Sequence, residues 1–199
     1  IALGALLKYR NKYAAYSICV FSSLAFAFQT YHHISVPKEG FIIFNSFNST
    51  PILYYNNHNA VLWCPDHKID LSEFKQTHKG FLAFHQIEKI QTVSSNTTFS
   101  DNARFFPPFA SLGGNNIVVL SQGKWKRIKV EKTIKVDLAI ITKRFHADIK
   151  TLSKIYDAKL VIISGDVYDN THKQLTEQLK ESNIKFHSIP GNGPYEWHQ

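Results

Sequence analysis

Asp166, Asp169, Asn170 and His172 crowd a short stretch directly after the apolar run Leu160–Ile163. Such a run reads as a buried strand, and α/β domains keep their chemistry in the loops at the C-terminal ends of these strands. His146 and Asp148 follow a second apolar run, Asp137–Thr142, in the same way. Gathered at one point, two imidazoles and three carboxylates would suit a transition metal. The plainer reading gives the same residues structural work, with Asp169 or Asn170 capping the helix that follows and His172 in its first turn. On that reading no metal and no other cofactor is expected, and His146, Asp148, Asp166, Asp169 and His172 are vestigial metal candidates.

Other reaction chemistries find no support. No Gly-x-Ser-x-Gly elbow occurs, and Ser164-Gly165-Asp166 lacks its first glycine. Gly113-Gly114 is not followed by the Lys and Ser/Thr of a phosphate-cradling loop. Cys19 and Cys64 show no zinc spacing, and no disulfide between them is expected. No catalytic residue is assigned. The binding signal is basic: Lys124, Lys126, Arg127, Lys129, Lys132 and Lys135 form a ribbon with one acid, Glu131, and with Trp125 interleaved. Cations that follow phosphates, beside a ring that stacks on a base, suit single-stranded DNA without sequence preference. The solvated face of an edge strand would carry the same residues. Lys143 and Arg144 complete the candidate DNA-binding set.

The elements that would position these residues are read from periodicity. Phe41–Phe44 is a short buried strand. Pro51–Tyr55 and Ala60–Cys64 flank the turn-rich Asn56-Asn57-His58-Asn59 and predict a hairpin. Asp70–Lys79 predicts a helix capped by Asp70 or Ser72 and stopped by Gly80. Ser94–Ser111, rich in Ser, Thr, Asn and Pro, reads as a loop. Ile117–Leu120 predicts a strand, and the alternation through 124–136 predicts another with its charged face outward. Strands over Asp137–Thr142 and Leu160–Ile163 bracket a helix over His146–Tyr156. A helix over Thr171–Asn183 follows, with a Thr171/Gln174 capping box and Leu175 and Leu179 facing inward. Phe186–Ile189 closes the series as a strand before a Gly/Pro turn. The order is hairpin material and then βαβαβ, an α/β domain with a mixed sheet and flanking helices.

The length of 199 residues suits one such domain and an anchor. A net charge of +8, from 23 basic and 15 acidic residues, favours anionic partners such as nucleic acid or acidic lipid. No charged residue occurs from Tyr13 to Pro37, and Tyr13–Tyr31 has the roughly 20 residues that a helix needs to cross a bilayer. Tyr13, Tyr16 and Tyr31 stand near its ends, as interfacial aromatics do. Lys8, Arg10 and Lys12 precede it, which places that end in the cytoplasm and everything after His33 outside. A signal peptide cleaved near Ala25-Phe26-Ala27 is the competing reading. Ile1–Leu7 before the basic cluster looks like the tail of an earlier apolar segment, so residues 1–34 are assigned to the membrane and 38–199 to an extracytoplasmic domain. The chain opens at Ile1 and contains no methionine, so it is expected to be a C-terminal fragment or a processed product.

A basic loop, a last membrane helix and an α/β domain ending in strand, loop, helix, strand and Gly turn resemble the C-terminal part of the ComEC-type competence proteins. The residues that carry the resemblance are Asp137–Thr142, Leu160–Gly165, Tyr168-Asp169-Asn170-Thr171-His172, Leu175, Leu179, Phe186 and Gly193-Pro194-Tyr195. It implies an inner-membrane channel for transforming DNA whose soluble domain is similar to a metallo-β-lactamase. Metal-dependent members carry His-x-His-x-Asp-His after the strand that corresponds to 137–142. This chain has Lys143-Arg144-Phe145-His146-Ala147-Asp148 there. Lys143 and Phe145 stand where the first two histidines belong, and His146 and Asp148 are one residue out of register. The segment 41–50 also lacks the Gly-x-Gly-Asp turn expected of the family, and the chain is short for a complete metallo-β-lactamase domain. The resemblance therefore implies a reduced, degenerate domain without catalysis, whose partners are single- or double-stranded DNA, the remainder of the channel and the lipid bilayer. A metal-dependent nuclease acting on one strand of incoming DNA, and an unrelated exported binding module, are the alternatives.

Overall fold

The structure, a computed structural model, describes residues 12–46, 49–65, 69–93, 96–121 and 130–199. It divides into two compact units, 1–37 and 38–199.

The first unit contains helix α1, Lys12–Ser35. Its hydroxyls turn back on its own backbone: Ser17 Oγ donates to the Tyr13 carbonyl at 3.0 Å and Thr30 Oγ1 to the Phe26 carbonyl at 2.8 Å. Val20, Phe21, Leu24, Phe26 and Phe28 are exposed. Among the described residues, no helix is long and apolar enough to cross a membrane. The span expected over 13–31 therefore appears as a helix of sufficient length but insufficient apolarity. Tyr16, Ser17, Ser22, Ser23 and Thr30 dilute its Ala, Leu and Phe.

The second unit is built on two sheets, not one mixed sheet. The first has the order β12-β1-β2-β3-β4, with β1 Glu39–Ile43, β2 Ile52–Asn56, β3 Asn59–Trp63, β4 Lys89–Val93 and β12 Tyr195–His198. The second has the order β11-β10-β9-β8-β7-β6-β5, with β5 Thr97–Ser100, β6 Ala103–Phe106, β7 Phe109–Leu112, β8 Asn115–Leu120, β9 Ile134–Ile141, β10 Tyr156–Ile163 and β11 Phe186–Ser188. One core lies between the sheets. Phe41, Ile43, Ile52, Tyr54, Val61 and Trp63 from the first meet Ala103, Phe105, Leu112, Val119, Ile140 and Ile162 from the second. The alternate residues Ile42, Leu53, Tyr55 and Leu62 face outward beneath α2, Leu71–Thr77, and α3, Lys79–Phe84. On the far side Val118, Leu120, Ala139, Ile141, Val161 and Ile163 lie beneath α4, Ile149–Ile155, and α5, Asp169–Glu181. Strands buried on both faces read as unbroken apolar runs, which is why β1, β9 and β10 stand out in the sequence. The result is a four-layer α/β/β/α sandwich.

Several expectations hold in detail. The β2–β3 hairpin turns at Asn57-His58, with Asn57 at φ 53°. β8, β9, β10 and β11 run parallel, linked from β9 onward as βαβαβ. Others are corrected. The first helix ends at His78 and a second starts at Lys79, so Gly80 stops nothing. His78 breaks the helix because its ring is drawn against Phe44, 4.0 Å away, and Phe74. Segment 94–111 is no loop: its described part forms β5, β6 and most of β7, joined by Asp101-Asn102 and by Pro107-Pro108. Gly113-Gly114, at φ 56° and 78°, turns β7 into β8, a two-residue turn that favours glycine. Only glycine fits at 113 for a second reason, because a Cβ there would meet the Trp197 ring at 2.2 Å. The strand expected through 124–136 begins only at Ile134, after a bend, and 122–129 lie outside the described residues. Residues 195–198, expected as part of a turn, are the edge strand β12, paired with β1.

Candidate functional site

The loops after β1, β9, β10 and β11 meet at the edge where these strands end. Four hydroxyls and one carboxylate are buried there: Thr50, Thr142, Ser164, Ser188 and Asp166. A buried polar group costs free energy unless it is paired, so each bond reports what its residue is for. Thr50 Oγ1 and Ser164 Oγ are 2.8 Å apart and tie the two sheets. Thr142 Oγ1 donates to the Leu120 carbonyl at 3.3 Å. Gly165 passes so close to Asn45 that a Cβ would lie 2.0 Å from its Oδ1.

The metal candidates are dispersed along this edge. Asp166 Oδ1 accepts from the Lys143 backbone N–H at 3.2 Å and holds the loop after β9 to the loop after β10. Asp148 caps α4, accepting from the Thr151 N–H at 2.6 Å. His172 Nε2 lies 2.7 Å from Ser188 Oγ, which also accepts from the Gly191 N–H at 3.3 Å. Asp169 is exposed in the first turn of α5, where a carboxylate is favoured by the helix dipole. His146 is exposed in the loop after β9. Among the described residues no group of three or more His, Cys, Asp and Glu is placed to hold a metal ion. The capping box expected at Thr171 and Gln174 is not used; Tyr168 occupies the N-cap without a side-chain bond.

Phe145, which the resemblance sets against a metal-ligating histidine, is 3% exposed and buried among Ile149, Leu152, Ile141 and Val167. Of the described candidates, one carboxylate caps a helix and one imidazole is engaged with a serine.

Of the candidate DNA-binding residues, the three that are described are not brought together. Lys124, Trp125, Lys126, Arg127 and Lys129 lie outside the described residues. Lys132 is exposed just before β9, whereas Lys143 and Arg144 follow its other end. The intervening strand, Ile134–Ile141, spans about 23 Å at the usual rise per residue. Sequence reasoning also passed over Thr50, Asn45 and Ser188, which join the polar edge. Their signal was faint: polar residues beside apolar stretches, with Asn45 directly after Phe41–Phe44 and Thr50 directly before Pro51–Tyr55.

A two-sheet sandwich with helices on both faces, and with the loops of four strands converging on one edge, defines an α/β/β/α domain. The model of the family described as the ComEC C-terminal domain matches residues 41–199, and the chain belongs to that family. Membership ties it to competence DNA uptake. No curated protein and no solved structure matches the chain.

Proposed function

We propose that this chain is a non-catalytic domain of an inner-membrane DNA-uptake protein, related to the metallo-β-lactamases, that lies outside the cytoplasm and contacts incoming DNA. The observation that carries this reading is the edge at the strand ends. Phe145 stands in the core where a metal ligand of the family belongs, and Asp148, Asp166 and His172 are each engaged in holding the fold. The four-layer sandwich supports the kinship. Contact with DNA is supported by family membership and by the net charge of +8. Helix α1 supports membrane association: its exposed Val20, Phe21, Leu24, Phe26 and Phe28 suit lipid or neighbouring membrane helices, and back-bonded Ser17 and Thr30 hide their hydroxyls.

The full chain should bind labelled DNA with an affinity that falls steeply with salt. It should leave that DNA uncut in zinc or manganese. Cleavage abolished by a chelator would overturn the non-catalytic role. Protection of residues 38–199 from protease added to spheroplasts would overturn the extracytoplasmic placement.

A further inference from the structure

We propose that a track for single-stranded nucleic acid runs across the outer face of the seven-stranded sheet, from the β6–β7 pair to the residues where β9 and β10 begin. The proposal rests on the DNA-contact reading and names the surface responsible. Alternation along β6 and β7 sends Ala103, Phe105, Ala110 and Leu112 into the inter-sheet core, and so turns Arg104, Phe106 and Phe109 to the outer face. Phe106 and Phe109 are direct cross-strand partners. Phe106 is 49% exposed, and Arg104 stands two residues from it on the same face. With Lys135 and the 40%-exposed Ile134 they line a cavity of about 570 Å³. A second cavity, of about 740 Å³, is lined by Lys150 and Lys154, one turn apart on α4, and by Thr133 and Tyr156.

The two cavities have neighbouring walls: Thr133 lines one and Ile134 the other, and the Phe109 ring meets the Tyr156 ring edge-on at 6.2 Å. Four exposed cations line them, against two acids, Asp101 and Asp157. The nearby Asp137 is paired with Lys159 at 2.6 Å and accepts from the Asn116 N–H at 2.8 Å. Cations along a groove that presents the half-exposed Phe106 ring match a polyanion with accessible base faces. Duplex DNA keeps those faces stacked inside, so a single strand is the occupant that uses both features.

The test uses the full chain and fluorescently labelled oligothymidylate of about 16 nucleotides, with an abasic strand and a duplex of equal length. Changing Arg104, Lys135, Lys150 and Lys154 to Gln should lower the slope of log affinity against log salt by about 0.7 for each phosphate that is no longer neutralised. Phe106→Ala should weaken binding to oligothymidylate about fivefold and leave the abasic strand unaffected, a readout that general loss of structure would not give. Unchanged thermal melting of these surface variants verifies folding. Wild-type affinity in the fourfold variant would overturn the track while leaving the DNA reading standing. So would loss of binding only on charge reversal of Lys126, Arg127 and Lys129, or equal affinity for duplex and single strand. A wild-type chain that binds no DNA would overturn both.

Discussion

Two regions of the seven-stranded sheet treat their polar residues in opposite ways. Where β9, β10 and β11 finish, Thr142, Ser164, Asp166 and Ser188 are buried, and each makes a hydrogen bond within the fold. On the outer face, from the β6–β7 pair to the starts of β9 and β10, Arg104, Lys135, Lys150 and Lys154 are exposed, with the half-exposed Phe106 among them. Groups already engaged by the fold have little left to offer a ligand, which is why the proposed track is placed on the second region and not the first.

That contrast can be broken or sharpened. Phe145→Ala should destabilise the chain by about 3–5 kcal/mol in chemical denaturation, as loss of a buried phenylalanine does. Phe145→His, which supplies an imidazole where the resemblance sets a ligand, should also lose stability and carry no zinc in elemental analysis. A stable, zinc-loaded variant would show that the edge is a metal site awaiting one ligand. Thr50→Val should cost about 1–3 kcal/mol by orphaning the Ser164 hydroxyl, and adding Ser164→Ala should restore part of it. Asp148→Ala should cost about 1 kcal/mol, the usual value of a helix cap, without altering DNA binding.

His78, under the other sheet, should give the chain a pH effect. Burial holds the His78 imidazole below its ordinary value of 6.5, between Phe44 and Phe74. The unfolded chain then binds the proton more readily, so this stability is complete above about pH 6.5 and declines as the pH falls toward the lower folded value. Melting temperature followed from pH 8 to 5 should fall less in His78→Gln than in the parent. The smallest stability change, within about 0.5 kcal/mol, is expected for Arg104→Gln and Lys135→Gln, whose effect should appear only in binding.

Much of the fold was legible because burial on both faces writes itself as apolar runs. Phe41–Phe44, Asp137–Thr142 and Leu160–Ile163 all mark strands, and Leu175 and Leu179 mark the inner face of α5. The hairpins of 94–120 were hidden by composition. Their strands are four to six residues long, and Ser, Thr and Asn on outward positions mask the inward Ala103, Phe105, Ala110 and Leu112. A usable signal was present in the turn pairs Asp101-Asn102, Pro107-Pro108 and Gly113-Gly114, which recur at a constant spacing. That Arg104 and Lys135 line one cavity was not legible at all, since they are far apart in the chain and are brought together only by sheet order.

The sequence by itself determined the buried strands of Phe41–Phe44, Asp137–Thr142 and Leu160–Ile163, the helix that carries Leu175 and Leu179, the charge of the chain and the absence of the histidine pattern from the loop after β9. Those are local properties, written in the periodicity of apolar side chains and in residue identity. Only the tertiary structure decided which polar residues are consumed and which remain available. Whether Asp148 is a ligand or a cap, and whether Phe106 is core or surface, depends on which neighbours the packed sheets bring to it, and no local pattern specifies that.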